Sequence, residues 1–161
     1  MIPSDHFVRF YNEIFKYLDE HGGLEEYFLA ISEQQEHHCL ERFKNQGLQG
    51  VYEYYLKIRF EENCGLELEL QDGCLHMFMQ ACPSLAKAID NDAGLCRRYC
   101  EHCPGWTFPV YSKAGLYIIK DLMEHDLPQC QSWLFDDVQK AECKLAELQE
   151  KHPGIRFKHN F

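Results

Sequence analysis

Apolar residues first recur at helical spacing. Phe7, Phe10, Tyr11, Ile14 and Leu18 fall on one helix face, with Ser4 as the expected cap and His21-Gly22-Gly23 as the stop. The spacing predicts a second helix from about Leu24 to Asn45, its apolar face opened by Tyr27, Phe28 and Ile31. Past a break at Gly47, a tyrosine-rich third helix is expected from Leu48 to Glu62. The period then changes to two. Leu66, Leu68 and Leu70 alternate with Glu67 and Glu69, the pattern of a half-buried strand. Asp72-Gly73 suits the positive φ angles of a tight hairpin, and Cys74 to Ala81 supplies the returning strand. Cys82-Pro83 ends that strand, and a short helix is expected over Ser84 to Asn91, broken by Asn91-Asp92-Ala93-Gly94. A second strand pair, Leu116 to Met123 and Gln129 to Phe135, turns around Asp126 and Pro128. Asp136 or Asp137 then caps a last helix with Val138, Ala141, Leu145 and Leu148 as its apolar stripe, and Pro153-Gly154 ends it.

These elements predict an α+β domain, with helices packed on one face of an antiparallel sheet of about four strands. The 161 residues suit one domain in three parts: helical over 1–62, sheet and cysteine cluster over 63–135, and a C-terminal helix over 136–152. Hydrophobic residues make up 45% of the chain, enough for a packed core. A formal charge of −10 argues against a nucleic-acid surface, because such surfaces concentrate Lys and Arg. No run of 18 apolar residues suggests a membrane span, and the N-terminal residues carry no secretory pattern. A cytoplasmic location is the resulting expectation, and there thiols stay mostly reduced.

Against that background nine cysteines stand out, an odd number that cannot pair completely. Cys39, Cys64, Cys74 and Cys143 are expected simply to pack as small hydrophobes. The segment Cys96-Arg97-Arg98-Tyr99-Cys100-Glu101-His102-Cys103-Pro104 is different. Thiolates are strong ligands for zinc and iron, and a two-residue gap lets two sulfurs reach one ion. Cys96, Cys100 and Cys103 are therefore candidate ligands of zinc or an iron–sulfur cluster, with Cys82 or Cys130 completing the set. The same thiols could instead attack a substrate, with Cys100 or Cys103 as nucleophile and His102 or His76 as base. Arg97 and Arg98 would favour thiolate, as would a helix starting near Cys103. His76 is included, as a further ligand or as the base, because alternation along its strand places it on one face with Cys74 and Cys82. Glu33 and His37 share a helix face but read as solvated surface, and no Gly-rich phosphate loop or nucleophile elbow occurs.

Two resemblances attach to these motifs. Cys-x3-Cys-x2-Cys is the cluster-binding spacing of radical S-adenosylmethionine enzymes. The 58 residues after Cys103 cannot supply the βα barrel which that chemistry needs. Cys82-Pro83, Tyr99-Cys100-Glu101-His102-Cys103 and the strand pair holding Cys130 resemble the L-2-amino-thiazoline-4-carboxylate hydrolase-like group of small bacterial proteins. That resemblance runs from about residue 66 to 135. It implies an α+β fold, a site at the Cys-Pro and Cys-x2-Cys elements, and ring-opening hydrolysis of a small cyclic cysteine precursor. Cys96 is an extra thiol for such a pattern. Three functions thus stand open: a metal-binding module, a thiol-dependent hydrolase, or a domain whose apolar helix faces serve partner binding or homo-oligomerisation.

Overall fold

A computed structural model describes residues 5–90, 94–122 and 127–161. The expected Ser4 cap, the Asn91-Asp92-Ala93 break, and the positions of Met123 and Asp126 lie outside the described residues. Helix α1 spans Asp5–His21 and α2 spans Leu24–Glu61. The break expected at Gly47 is present as a kink within α2, where Gly47 takes φ 54° and ψ −136°, far from helical values. The hairpin follows as β1 (Gly65–Gln71) and β2 (Cys74–Ala81), and Asp72 and Gly73 both carry positive φ, as a type I′ turn requires. Helix α3 (Pro83–Ile89) starts at Cys82, whose sulfur accepts the Leu85 N–H at 3.4 Å, with Pro83 at the first helical position.

A 3₁₀ turn (Tyr99–Glu101) then runs into α4 (His102–Lys113), a helix that hydrophobic periodicity did not mark although its start falls where one near Cys103 was weighed. Strands β3 (Tyr117–Asp121) and β4 (Cys130–Phe135), helix α5 (Val138–Lys151) and a two-residue strand β5 (Lys158–His159) complete the chain. Asp137 caps α5 by accepting the backbone N–H groups of Gln139 and Lys140. The sheet is antiparallel with order β1-β2-β4-β3-β5, five strands instead of about four.

Strand period sorts the side chains onto two faces. Leu75, Met77, Ile118 and Leu134 point to one face and pack with Phe43, Val51, Val110 and Tyr111 of α2 and α4. Ile119, Trp133 and Phe135 point to the other, where Ala141, Leu145 and Leu148 of α5 cover them. The α+β class is as expected. The helices, however, occupy both faces, because α5 returns across the back of the β3–β4 pair. A third cluster joins α1, the start of α2 and α3 through Val8, Phe15, Leu24, Phe28 and Leu85, with Cys96 and Tyr99 inside it.

Candidate thiol site at the start of helix α4

Register places the site on the α2–α4 face of the sheet. Cys130 pairs with Met79, and Lys120 pairs with Ser132, which itself pairs with Met77. All five therefore share the face that packs under α4. Cys82 stands where β2 gives way to α3, and its N–H donates to the Pro128 carbonyl at 2.7 Å, tying that corner to the approach of β4. Cys100 lies in the 3₁₀ turn, and His102 and Cys103 are the first two residues of α4. Cys82, Cys100, Cys103 and Cys130 are all half-buried, and all nine cysteines are free thiols.

His102 Nε2 lies 3.3 Å from Cys103 Sγ. Adjacent helix positions do not ordinarily face each other. Here the imidazole is turned toward its neighbour because Nδ1 donates to the Tyr99 carbonyl. That bond fixes the tautomer and leaves Nε2 for the sulfur. The ring is walled by Trp106, Tyr99 and Phe15, with centroids 4.6, 5.1 and 5.6 Å away. Aromatic faces so placed favour a cationic ring.

The electrostatics separate one thiol from the rest. Burial pushes Cys103 up, but the His102 charge, its hydrogen bond and Lys120 outweigh that and bring the thiol down to about 6. Burial pulls His102 down, and the Cys103 charge, the bond to Cys103 and the Tyr99 carbonyl more than reverse it. The two shifts describe a thiolate–imidazolium pair. By contrast, burial followed by the Cys103 charge raises Cys100 to about 12 and Cys82 to about 11, and burial raises Cys130 despite Lys120. Lys120 Nζ lies 3.5 Å from Cys130 Sγ. Burial works against its charge, yet the Cys130 and Cys103 sulfurs keep it above the ordinary lysine value. Tyr55 joins this group from α2, its hydroxyl accepting that of Tyr111 at 2.9 Å.

A cavity of 140 Å³ lies one helical turn beyond Cys103, lined by Tyr54, Tyr55, Trp106, Thr107 and Tyr111 among others. Thr107 donates its hydroxyl to the Cys103 carbonyl at 2.8 Å, and the buried indole N–H of Trp106 has no acceptor among the described residues. A larger, open cleft of 1050 Å³ runs along the other flank of α4 past Glu101, Pro104 and Phe108, and none of the four thiols lines it.

Comparison with protein-family models, curated proteins and solved structures finds no significant match. The site is therefore read from its own geometry.

Of the residues singled out from sequence, Cys82, Cys100, His102, Cys103 and Cys130 come together. Two do not. Cys96 is 3% exposed in the α1–α3 core, its N–H donates to Asn12 Oδ1, and its charged neighbours are Asp19, Lys16 and Arg98. His76 is on the opposite face of the sheet, stacked on Trp133 at 5.2 Å and 3.4 Å from the Gln131 side-chain oxygen. Alternation correctly joins it to Cys74, but β2 ends at Ala81 and the chain turns, so the pattern does not carry to Cys82. Arg98 also departs from expectation. It binds Asp19, Glu25 and Glu101, and Arg97 is exposed, so the cation of the thiol site is Lys120. Lys120 is the residue sequence reasoning missed; its place two positions after Ile118 on one strand was the available signal. Cys143, expected to pack, is exposed. Among the described residues, no three His, Cys, Asp or Glu side chains form a metal-holding group. Among the same residues, no helix is long and apolar enough to cross a membrane.

Proposed function

We propose that this protein is a thiol-dependent enzyme of the hydrolase class, acting on a small molecule with Cys103 as nucleophile and His102 as its acid–base partner. One observation carries the reading: a cysteine and a histidine 3.3 Å apart, with the far ring nitrogen anchored on a backbone carbonyl. Nucleophile, base and orienting group in that relation are the recurring parts of covalent acyl-transfer sites. The Cys103 thiolate forms a bond to an electrophilic C=O or C=N carbon, and the leaving nitrogen or oxygen takes its proton from the His102 imidazolium. Water then gives a proton back to His102 as its oxygen attacks the same carbon, and the thiolate departs.

The 140 Å³ cavity one turn along α4, lined by Trp106 and Thr107 but by neither Cys103 nor His102, has the size for a ring-sized apolar part of a substrate, since an apolar cavity of about 150 Å³ is known to take benzene. The hydrolase-like resemblance of the Cys82-Pro83 and Tyr99 to Cys103 segments points the same way, toward a small cyclic substrate. A second reading, zinc or an iron–sulfur cluster on Cys82, Cys100, Cys103 and Cys130, draws on the convergence of the four sulfurs. It requires a metal ion beside the Lys120 ammonium and side chains turned from the arrangement described.

Timed alkylation at pH 5, where the rate advantage of a thiol held near 6 is about 30- to 60-fold, tests the proposal when read by peptide mapping. Cys103 is expected to label well ahead of the other eight thiols, and Cys103→Ser to abolish the acyl-enzyme burst with p-nitrophenyl acetate. Uniformly slow labelling overturns it. Stoichiometric metal after anaerobic purification, with loss of folding on chelation, would install the second reading.

A further inference from the structure

Three half-buried thiols stand around Cys103, and hydrolysis by one nucleophile uses none of them. Two have structural engagements. The Cys82 sulfur caps α3 through the Leu85 N–H, and the Cys130 sulfur is held by Lys120. Cys100 is placed differently. It sits three residues before Cys103 in an unbroken helical path, in a 3₁₀ turn that passes directly into α4. Residues three apart along a helical path lie on the same side of it. The two cysteines therefore lie on one side of the junction between the 3₁₀ turn and α4, close enough for the Cys103 charge to act on Cys100, and residues so spaced fall within the Cα separations that disulfides span.

We propose that Cys100 and Cys103 form a reversible redox pair, with a hydroperoxide as oxidant and a dithiol as reductant. The Cys103 thiolate attacks the terminal oxygen of ROOH; the O–O bond breaks, the alkoxide leaves and takes a proton as ROH, and Cys103 becomes a sulfenic acid. The Cys100 sulfur then attacks the Cys103 sulfur. The S–O bond breaks, hydroxide leaves with the proton that Cys100 releases, and a Cys100–Cys103 disulfide and water result. A dithiol returns both thiols and leaves as its own disulfide. The order of events is built in. The Cys103 charge is, after burial, the largest influence holding Cys100 protonated, and oxidation of Cys103 removes it. Oxidation of Cys103 thus eases the loss of the Cys100 proton, while burial goes on acting upward on that thiol. The inference rests on Cys103 being the reactive thiol, as the hydrolase reading also does, but it assigns Cys100 a role that hydrolysis does not need.

Trypsin cuts after Arg98 and Lys113, so Cys100 and Cys103 fall in one peptide that contains no other cysteine. The reduced chain is treated with one equivalent of hydrogen peroxide, its free thiols are blocked, and the digest is mapped by mass spectrometry. The expected product is this peptide unblocked at both positions and lighter by two hydrogens, with blocking restored by dithiothreitol. In Cys100→Ser, the first equivalent of peroxide should stop at the sulfenic acid, and a second should drive Cys103 on to sulfinic acid, which dithiothreitol does not reverse. A disulfide from Cys103 to the Cys82 or Cys130 peptide overturns the pairing. Sulfinic Cys103 in the unsubstituted chain, with Cys100 blocked, overturns it as well. Alkylation of the reduced protein separates the two ideas. Slow labelling of Cys103 removes the hydrolase reading and the redox pair together; fast labelling without the internal disulfide removes the redox pair alone.

Discussion

Replacing His102 with glutamine keeps a polar side chain at the start of α4 but deletes the charge that holds Cys103 at about 6. Burial remains and acts upward, so the thiol should return to the ordinary 9.0 or above. At pH 7 the thiolate fraction then falls from roughly 90% to about 1%, a drop of about 90-fold. The rate of alkylation does not fall as far. A more basic thiolate is a better nucleophile, and a Brønsted slope of 0.4–0.5 returns about 15- to 30-fold over that interval. The net loss at pH 7 is only about three- to sixfold, too small to decide the question. At pH 5 the gap in thiolate fraction widens to about 900-fold and the net loss to about 30- to 60-fold. The assay is accordingly a pH profile of iodoacetamide labelling at Cys103, read by peptide mapping. The unsubstituted chain should show a rise centred near pH 6, and His102→Gln a rise centred near 9 or beyond. The titration belongs to the pair and not to one group, so the wild-type curve reports its macroscopic step. A midpoint near 6 that survives the substitution, or a wild-type midpoint near 9, refutes the thiolate–imidazolium argument.

Other outcomes test single parts of the reasoning. Lys120→Met should raise the labelling midpoint of Cys103 by less than His102→Gln does, because Lys120 is the smaller of the two cationic influences; an unchanged midpoint would remove Lys120 from the site. His76→Ala should leave the Cys103 profile unaltered, since the sheet lies between them; a shifted midpoint would contradict the assignment of faces. Arg98→Ala should cost about 1 kcal/mol by denaturant unfolding, as it releases Asp19, Glu25 and Glu101 at a partly exposed site. Glu101 is held below its ordinary 4.5, so that difference should be complete above 4.5 and close as the pH falls through the lowered value; a gap constant down to pH 2 would show that the ion pairs are not its source. Gly105→Ala should lower the melting temperature, because an added Cβ would come within 2.7–2.9 Å of the Phe28 side chain, and overpacking costs about 1–3 kcal/mol against a helix-propensity gain of about 1. A raised melting temperature would show that α2 and α4 do not meet there.

Features encoded within a few residues were legible before the structure. The Asp72-Gly73 hairpin, the Asp137 cap and the Gly47 break each depend on one backbone requirement met by one local residue type. Helix α4 was hidden for equally local reasons. Pro104, Gly105 and Pro109 all read as helix breakers, yet each is tolerated where it stands. Pro104 falls in the first turn, whose N–H groups have no helical partner to lose. Gly105 is required by the approach of Phe28. It is also the residue four before Pro109, the position whose carbonyl a helical proline crowds and leaves without its bond. The two irregularities are thus concentrated on one pair of residues.

The candidate site divides along the same line. Cys100, His102 and Cys103 are near in sequence, and their spacing alone marked them. What distinguishes Cys103 from the other thiols is not near in sequence. It comes from Lys120, which β3 brings under α4, and from the Tyr99 carbonyl, which turns His102 only because the 3₁₀ turn runs into the helix. Cys96 and His76 mislead for the complementary reason. One lies within the cysteine-rich segment but before the turn, and is drawn into the α1 core; the other lies on the right strand but on the wrong face. Proximity along the chain selects the sulfur-rich region, and only the placement of one cation and one carbonyl selects the reactive sulfur within it.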